Sequence, residues 1–275
     1  MAMAAKKPAA KKPAAAKPAG TALTKWDEAL AARAQIAKKS EEAVTTGNFI
    51  SLKAGVMSYQ GNPMPNGEVS CIPLASILEN NFFPGKYDPK KAQSPVCFAF
   101  GTSEEEMKPH EKSSKPQHAQ CGVAGQKGCC PHNEWDSGEG GKGKACKNVR
   151  RIALITADSA DSVEGIKEAT VAYLKTPVTS VKAWAAFVNG CAAQEKPTLS
   201  YITTVKATPD AQTQFKVSFR ATMEIRDGEL IGALLDKATE VDKIIDFPYQ
   251  ASAANDEAPA KGGRAASAGK QKRKF

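Results

Sequence analysis

The sequence predicts a mainly β protein with a few helices, of the α+β class. Three observations predict it. Short runs rich in Val, Ile, Leu and Thr recur from residue 48 to residue 221. Turn-forming Asn, Gly, Pro and Asp residues separate these runs, and helical patterns lie at both ends and once between them. We expect about seven short strands in a partly open β-barrel, with a cysteine-rich loop inserted at residues 97–148. A β-sandwich with the same insertion is the alternative.

The formal charge of +9 is concentrated at the two ends of the 275-residue chain. Residues 1–20 contain five lysines and no acidic residue, and residues 251–275 contain six Lys or Arg against two acidic residues. The segment between them is neutral. We therefore expect disordered basic tails at residues 1–22 and 251–275, flanking one core domain at residues 23–250. Such tails bind polyanions without sequence preference.

The first part of the core is expected to begin with a helix at residues 24–44. Strands follow, at residues 49–56, 68–78 and 94–100. Between the last two strands, an aromatic cluster contains Phe82 and Tyr87 beside a lysine, a composition that suits base stacking. Core packing is the alternative role of these rings.

The second part of the core alternates strands with helices. Ser180 is the expected N-cap of a helix whose apolar residues share one face. The remaining elements follow from β-branched content, alternation and apolar periodicity. We expect strands at residues 150–156, 169–175, 198–208 and 215–221, and helices at residues 181–192 and 228–245.

Five of the seven cysteines and all three histidines lie between residues 97 and 146. The intervening sequence is polar and contains almost no aliphatic residues, so it cannot fold by burying a core of its own. Four thiolates around one metal ion would stabilise such a loop. The expected ligands are Cys97, Cys121, Cys130 and Cys146. Their substitutes are Cys129, His118 and His132.

The expected metal is one structural Zn²⁺, with an iron–sulfur cluster as the alternative on the same thiolates. Disulfides could link the same cysteines. The N-terminal sequence, however, has no apolar segment typical of secretion, and in a reducing compartment clustered cysteines more often bind metal. Cys71 and Cys191, which lie outside the cluster, are expected to be small buried side chains.

The cysteine-rich segment ends in a glycine-rich, basic stretch. It lacks the Ser or Thr that follows Lys in a nucleotide-binding P-loop, so its lysines are better suited to phosphate contacts along a nucleic acid. A solvated loop is the alternative. The expected contacts are Lys142, Lys144, Lys147, Arg150 and Arg151, with Phe82, Tyr87 and Trp135 as stacking rings.

The order of several segments resembles tailed-phage proteins described as single-stranded DNA-binding. These segments are FISLKAG, PVCFAFG, CPHNEW, GKGKACKNVRRIALI and PVTSVKAWAAFV. The arrangement is also similar to the T-even phage single-stranded DNA-binding family, in which an oligonucleotide-binding fold carries a zinc subdomain. That family uses one histidine and three cysteines with a tight CxxC, and its members usually carry an acidic tail, whereas this tail is basic.

The expected function is therefore non-catalytic binding of single-stranded DNA in phage replication or recombination, by an oligonucleotide-binding type of barrel. Phage replication or recombination proteins are possible partners, and no membrane is expected to be involved. The expected location is the cytoplasm of the infected host cell. A zinc-ribbon module for protein interaction or transcription regulation is the alternative. A nuclease is the third hypothesis and the least supported. The acidic run Glu104–Glu106 resembles a solvated charge cluster more than a catalytic site.

Overall fold

The computed structural model describes residues 48–53, 55–85, 94–211 and 213–249, together with Leu30 and Arg33. The chain divides into two compact units, residues 1–45 and 46–275. The predicted helix at residues 24–44 belongs to the first unit, where Leu30 and Arg33 are helical and exposed and the rest of that helix lies outside the described residues. Both predicted tails also lie outside them.

Nine strands in the described part of the second unit form one sheet. They are β1 (Phe49–Lys53), β2 (Val56–Tyr59), β3 (Asn62–Pro63), β4 (Glu68–Phe82), β5 (Cys97–Gly101), β6 (Lys147–Thr156), β7 (Ala172–Thr176), β8 (Tyr201–Asp210) and β9 (Gln214–Glu224). Their order is β3-β2-β1-β7-β6-β4-β8-β9, with β5 beside β4.

The long strand β4 organises this sheet. One edge of β4 pairs with β6 over most of its length. Its other edge is shared, because Glu68–Cys71 pairs with β8 and Leu78–Phe82 pairs with β5. The second half of β4 therefore lies between the two strands that begin and end the cysteine-rich loop.

Three α-helices in the described residues pack on the sheet: α1 (Val163–Glu168), α2 (Val181–Ala192) and α3 (Gly228–Asp242). The carboxylate of Asp227 caps α3 by accepting from the backbone N–H groups of Glu229 and Leu230. Ser180 is the N-cap of α2, as predicted, but its side chain makes no capping hydrogen bond. Its Oγ instead accepts a hydrogen bond from the N–H of Val217 at 2.8 Å, and this contact ties the start of α2 to β9.

The sheet has an apolar core on each face because its side chains alternate. Ile152 and Leu154 point to an inner core that contains Trp184 of α2. Ala153 and Ile155 point to an outer core that includes residues of α1 and α3. The inner core contains residues from both ends of the sheet, which is therefore curled into a half-barrel around it.

The predicted mainly β class with a few helices is confirmed. The predicted strand at residues 49–56 is instead a hairpin, β1–β2, because the chain turns at Gly55 with a φ of +79° that favours glycine. The predicted bounds of α2 are confirmed, and the strands predicted at residues 198–208 and 215–221 are β8 and β9, which pair antiparallel. No helix in the described ranges is long and apolar enough to cross a membrane.

Candidate metal centre and nucleic-acid interface

The four cysteines predicted as metal ligands are buried and line one cavity of about 20 Å³. Cys97 is the first residue of β5, and Cys146 immediately precedes β6. Cys121 and Cys130 come from the loop between these strands. The sheet and the loop thus bring together four residues that lie up to 49 positions apart in the sequence.

Backbone hydrogen bonds hold these cysteines in place. The N–H of Cys130 donates to the carbonyl of Cys121 at 2.9 Å, and the N–H of Cys146 donates to the carbonyl of His132 at 2.7 Å. Gly122 allows the close approach of two loop segments, because a β-carbon there would lie 2.8 Å from Cα of Cys129. Its φ of +64° also favours glycine.

Burial dominates the electrostatics of the cavity. It raises the pKa of the Cys121 thiol to about 11, although a hydrogen bond from Asn80 acts the other way. Burial also raises the pKa of the Cys146 thiol, and the other three predicted ligands add to this effect. Buried thiols of this kind are poor nucleophiles but can ligate a cation that displaces their protons.

Four cysteines around a small cavity fit the donor set of a closed zinc site. In the described ranges, however, no three or more Cys, His, Asp or Glu side chains are grouped closely enough to hold a metal ion. The cysteines thus share a cavity without forming a finished coordination shell. Zinc, with the iron–sulfur alternative, stays a prediction.

The three predicted substitute ligands differ in position. His118 and His132 line the cavity, and the ring of His132 stacks on Phe82 with centroids 4.2 Å apart. Cys129 is half-buried and is not among the residues that line the cavity. Its thiol donates to the carbonyl of Cys121 at 3.4 Å, so the adjacent Cys130 has the better position for a ligand.

Asn133 is a buried structural residue that the sequence analysis did not identify. Its amide donates to the carbonyl of Gly122 at 2.8 Å, and its Oδ1 accepts from the amide of Asn148 at 2.9 Å. The amide of Asn148 also donates to Oδ1 of Asn80 at 2.5 Å. Asn133 therefore connects the loop to β6 and, through Asn148, to β4. The sequence offered little sign of this, because an Asn in a polar loop is usually exposed.

The segment between Cys130 and Cys146, called here the platform loop, presents an exposed aromatic ring beside basic groups. Trp135 is 68% exposed, and Nζ of Lys144 lies 5.2 Å from its ring centroid. Lys142 is exposed on the same loop. Lys147, at the start of β6, is also exposed, and its Nζ donates to the carbonyl of Lys144 at 2.9 Å.

The other predicted DNA contacts are placed differently. Phe82 is half-buried against His132, and Tyr87 lies outside the described residues. Arg150 is half-buried, and its guanidinium donates to the carbonyl of Val149 at 3.1 Å. The prediction for Arg151 is corrected: its side chain is 1% exposed and is enclosed by protein groups, so it is not available to phosphate.

Arg151 belongs to a buried ionic cluster on the outer face of the sheet. Its Nε donates to Oε2 of Glu79 at 2.5 Å, and Nζ of Lys175 lies 3.5 Å from Oε1 of Glu79. The hydroxyl of Tyr249 donates to the same Oε1. Alternation explains the position: Glu79 of β4 points to the outer face, whereas its neighbour Asn80 points into the cysteine cavity.

The charges of this cluster are strongly coupled. Burial alone would raise the pKa of Glu79, but the charges of Lys175 and Arg151 hold it below its ordinary value. Burial lowers the pKa of Lys175 to about 8, against the attraction of Glu79. The cluster is thus an ion pair with a second, partly exposed amine beside it.

The cluster holds the segment that follows α3, residues 245–249, called here the strap. The guanidinium of Arg151 donates to the carbonyls of Ile245 at 3.0 Å and Phe247 at 2.7 Å. It also lies 4.3 Å from the ring centroid of Phe247. The ring of Tyr249 meets Phe98 edge-on at 5.1 Å. These contacts dock the strap across the outer face.

No protein-family model, no curated protein and no solved structure matches this chain. The resemblance to tailed-phage single-stranded DNA-binding proteins therefore stays a prediction.

Proposed function

We propose that this protein binds single-stranded DNA without catalysing a reaction on it, in phage replication or recombination. The observation that carries the proposal is that the platform loop exposes the ring of Trp135 and contains Lys142 and Lys144, with Lys147 following at the start of β6. Proteins that bind single strands combine exposed aromatic rings, on which bases stack, with positively charged groups that contact the phosphates.

Trp135 supplies the stacking surface. Trp135 has the largest exposed fraction of the large apolar residues in the described ranges. Burial would be the favourable state for so large a side chain. Stacking of a base on an exposed ring contributes about 1–3 kcal/mol per base and tolerates any sequence. The cost of exposing Trp135 is thus offset when a nucleotide covers it.

The lysines supply phosphate contacts. Lys144 lies over the ring of Trp135, and Nζ of Lys147 donates to the carbonyl of Lys144. Lys142 is exposed two positions before Lys144. A phosphate of a strand stacked on Trp135 would lie within reach of their flexible side chains. Because these contacts release counterions, the affinity should fall steeply as the salt concentration rises.

The proposal includes a more specific fold, a barrel of the oligonucleotide-binding type. An oligonucleotide-binding type of barrel agrees with the curled sheet and with the long loop between β5 and β6. Within the proposal, a zinc ion held by the four cysteines would stabilise the base of the platform loop. The resemblance stated above supports the same function.

The test is a fluorescence titration of the full-length chain with single-stranded and duplex oligonucleotides at several salt concentrations. The chain contains Trp26, Trp135 and the buried Trp184, so the contribution of Trp135 is the part of the quenching that disappears in Trp135→Ala. The variant Trp135→Ala should weaken single-strand binding by about 1–3 kcal/mol. Trp135→Phe keeps a stacking ring and should retain most of the affinity.

Three results would contradict the proposal. Binding that does not change with salt would exclude phosphate neutralisation. A preference for duplex over single strands, or equal binding by the wild-type chain and Trp135→Ala, would favour the alternative of a zinc-ribbon interaction module.

A further inference from the structure

We propose that Arg150 is a second phosphate-binding position for the single strand, on the sheet face that also carries the cysteine cavity. This inference rests on the proposed function and deepens it, because it gives the bound strand a path. The strand would run from the platform loop along the start of β6 to Arg150.

The guanidinium of Arg150 has no carboxylate partner in the part of the chain that the structure describes. Its side chain is half-buried, and its hydrogen bond goes to the carbonyl of the adjacent Val149 at 3.1 Å. The next residue, Arg151, is by contrast paired with Glu79. A cation that has lost part of its water without gaining an opposite charge can be stabilised by an external anion.

The charge nearest in effect to Arg150 is that of Glu104, in the loop after β5. Burial lowers the pKa of Arg150, and the negative charge of Glu104 acts the other way. Glu104 is exposed and forms no salt bridge with Arg150. A phosphate at Arg150 would therefore compete only with a distant carboxylate, and it would gain the paired N–H groups of the guanidinium.

Strand register places Arg150 on the cavity face of the sheet. Arg150 lies opposite Leu78 of β4, which packs against the apolar cluster that contains Cys121. Directly paired residues share a face. Asn148 is two positions before Arg150 on β6, so it lies on the same face at a distance of about 6.6 Å along the strand. The amide of Asn148 donates to Asn80, which lines the cavity.

Two hydrogen bonds connect this position to the platform loop. Nζ of Lys144 donates to Oδ1 of Asn133 at 3.4 Å, and the amide of Asn148 donates to the same oxygen at 2.9 Å. Lys144 also lies over the ring of Trp135. One amide and one step along β6 thus separate the stacking ring and its lysine from Arg150. A site of about 4–16 nucleotides, typical of an oligonucleotide-binding fold, is long enough to include both.

Thr176 fixes the backbone of Arg150. The N–H of Arg150 donates to Oγ1 of Thr176 at 3.0 Å, and the hydroxyl of Thr176 donates to the carbonyl of Arg150 at 3.2 Å. Thr176 is itself completely buried. Only the end of the arginine side chain then has to become ordered when a phosphate binds, which reduces the entropic cost of binding.

The experiment measures how the affinity of the full-length chain for an oligothymidylate of about 20 nucleotides depends on salt. Each phosphate contact to a single strand contributes about 0.7 to the slope of log affinity against log salt concentration. Arg150→Met should weaken binding about tenfold and make this slope shallower by about 0.7. The control Arg226→Met removes the same charge from a side chain that is 81% exposed and lies outside this path, and it should leave the slope unchanged.

A second variant tests the same position with the opposite sign. Glu104→Gln removes the negative charge that acts on Arg150, so it should tighten binding. Glu106→Gln, at an exposed position of the same loop, should tighten it less. Near-UV circular dichroism checks that each variant is folded.

Equal slopes for the wild-type chain and Arg150→Met, with a shallower slope for Lys144→Met, would overturn the inference and leave the proposed function intact. Absence of single-strand binding by the wild-type chain would instead overturn the proposed function. If Arg150→Met fails to fold, the glutamate variants decide. Equal affinities of Glu104→Gln and Glu106→Gln would then overturn the inference.

Discussion

Nε of Arg151 donates to Oε2 of Glu79 at 2.5 Å, and both side chains are almost completely buried. The pair lies on the face of β4 opposite the cysteine cavity, and it holds the strap through the carbonyls of Ile245 and Phe247. One strand segment therefore supports two sites, with Asn80 in the cavity and Glu79 in the ionic cluster.

Removing one partner of this ion pair should be strongly destabilising. We expect Arg151→Met to lower the free energy of unfolding by about 3–5 kcal/mol, because it leaves a buried carboxylate with less compensation. The double variant Glu79→Leu/Arg151→Met should recover part of this loss. Urea unfolding followed by circular dichroism measures all three proteins.

The matched control is Arg150→Met on the opposite face, which should lower the free energy of unfolding less than Arg151→Met does. An equal cost would contradict the assignment.

Acid should weaken the same cluster. The pKa of Glu79 in the folded protein lies below its ordinary value of 4.5, so the folded protein binds fewer protons there than the unfolded chain. The stability that Glu79 contributes is therefore complete above the ordinary pKa and is lost as the pH falls through the lower pKa of the folded state. Urea midpoints measured from pH 6 to pH 3 should fall more steeply in the wild-type protein than in Glu79→Gln. Parallel curves would contradict this prediction.

The sequence predicted more of the local structure than of the ionic cluster. The apolar periodicity of residues 181–192 and the β-branched run that ends at Thr156 have clear local signatures, and both elements are present. Arg151 and Glu79 are 72 positions apart, and their contact depends on the pairing of β4 with β6, which the sequence alone did not provide.

One error could have been avoided from the sequence. The prediction gives Arg150 and Arg151 the same role, yet adjacent residues of a strand point to opposite faces. The apolar residues that follow, Ile152 to Ile155, indicated that both faces of this strand are covered. An arginine deep in such a strand is expected to have an internal carboxylate partner.

Asn133 should matter for the platform loop as much as a core residue does. Asn133→Ala removes the donor to the carbonyl of Gly122 and the acceptor for Asn148. Because buried polar groups then lack partners, we expect a loss of about 1–3 kcal/mol in the free energy of unfolding. Hydrogen exchange of residues 131–146 should also become faster.

The control Asn189→Ala, at an exposed position of α2, should change stability by less than about 0.5 kcal/mol. Unchanged exchange in Asn133→Ala would contradict the role given to Asn133.

Adjacent cysteines provide the sharpest test of the metal prediction. Cys130 lines the cavity and Cys129 does not, so Cys130→Ser should lose the bound zinc and Cys129→Ser should keep it. Elemental analysis of the purified proteins measures the metal, and an iron–sulfur cluster would be seen as iron and visible absorption.

A chelator should lower the thermal midpoint of the wild-type protein and of Cys129→Ser, because metal binding free energy contributes to folding. It should have little effect on Cys130→Ser. Equal metal loss in both variants would show that Cys129 is also needed, and metal-free wild-type protein would contradict the site altogether.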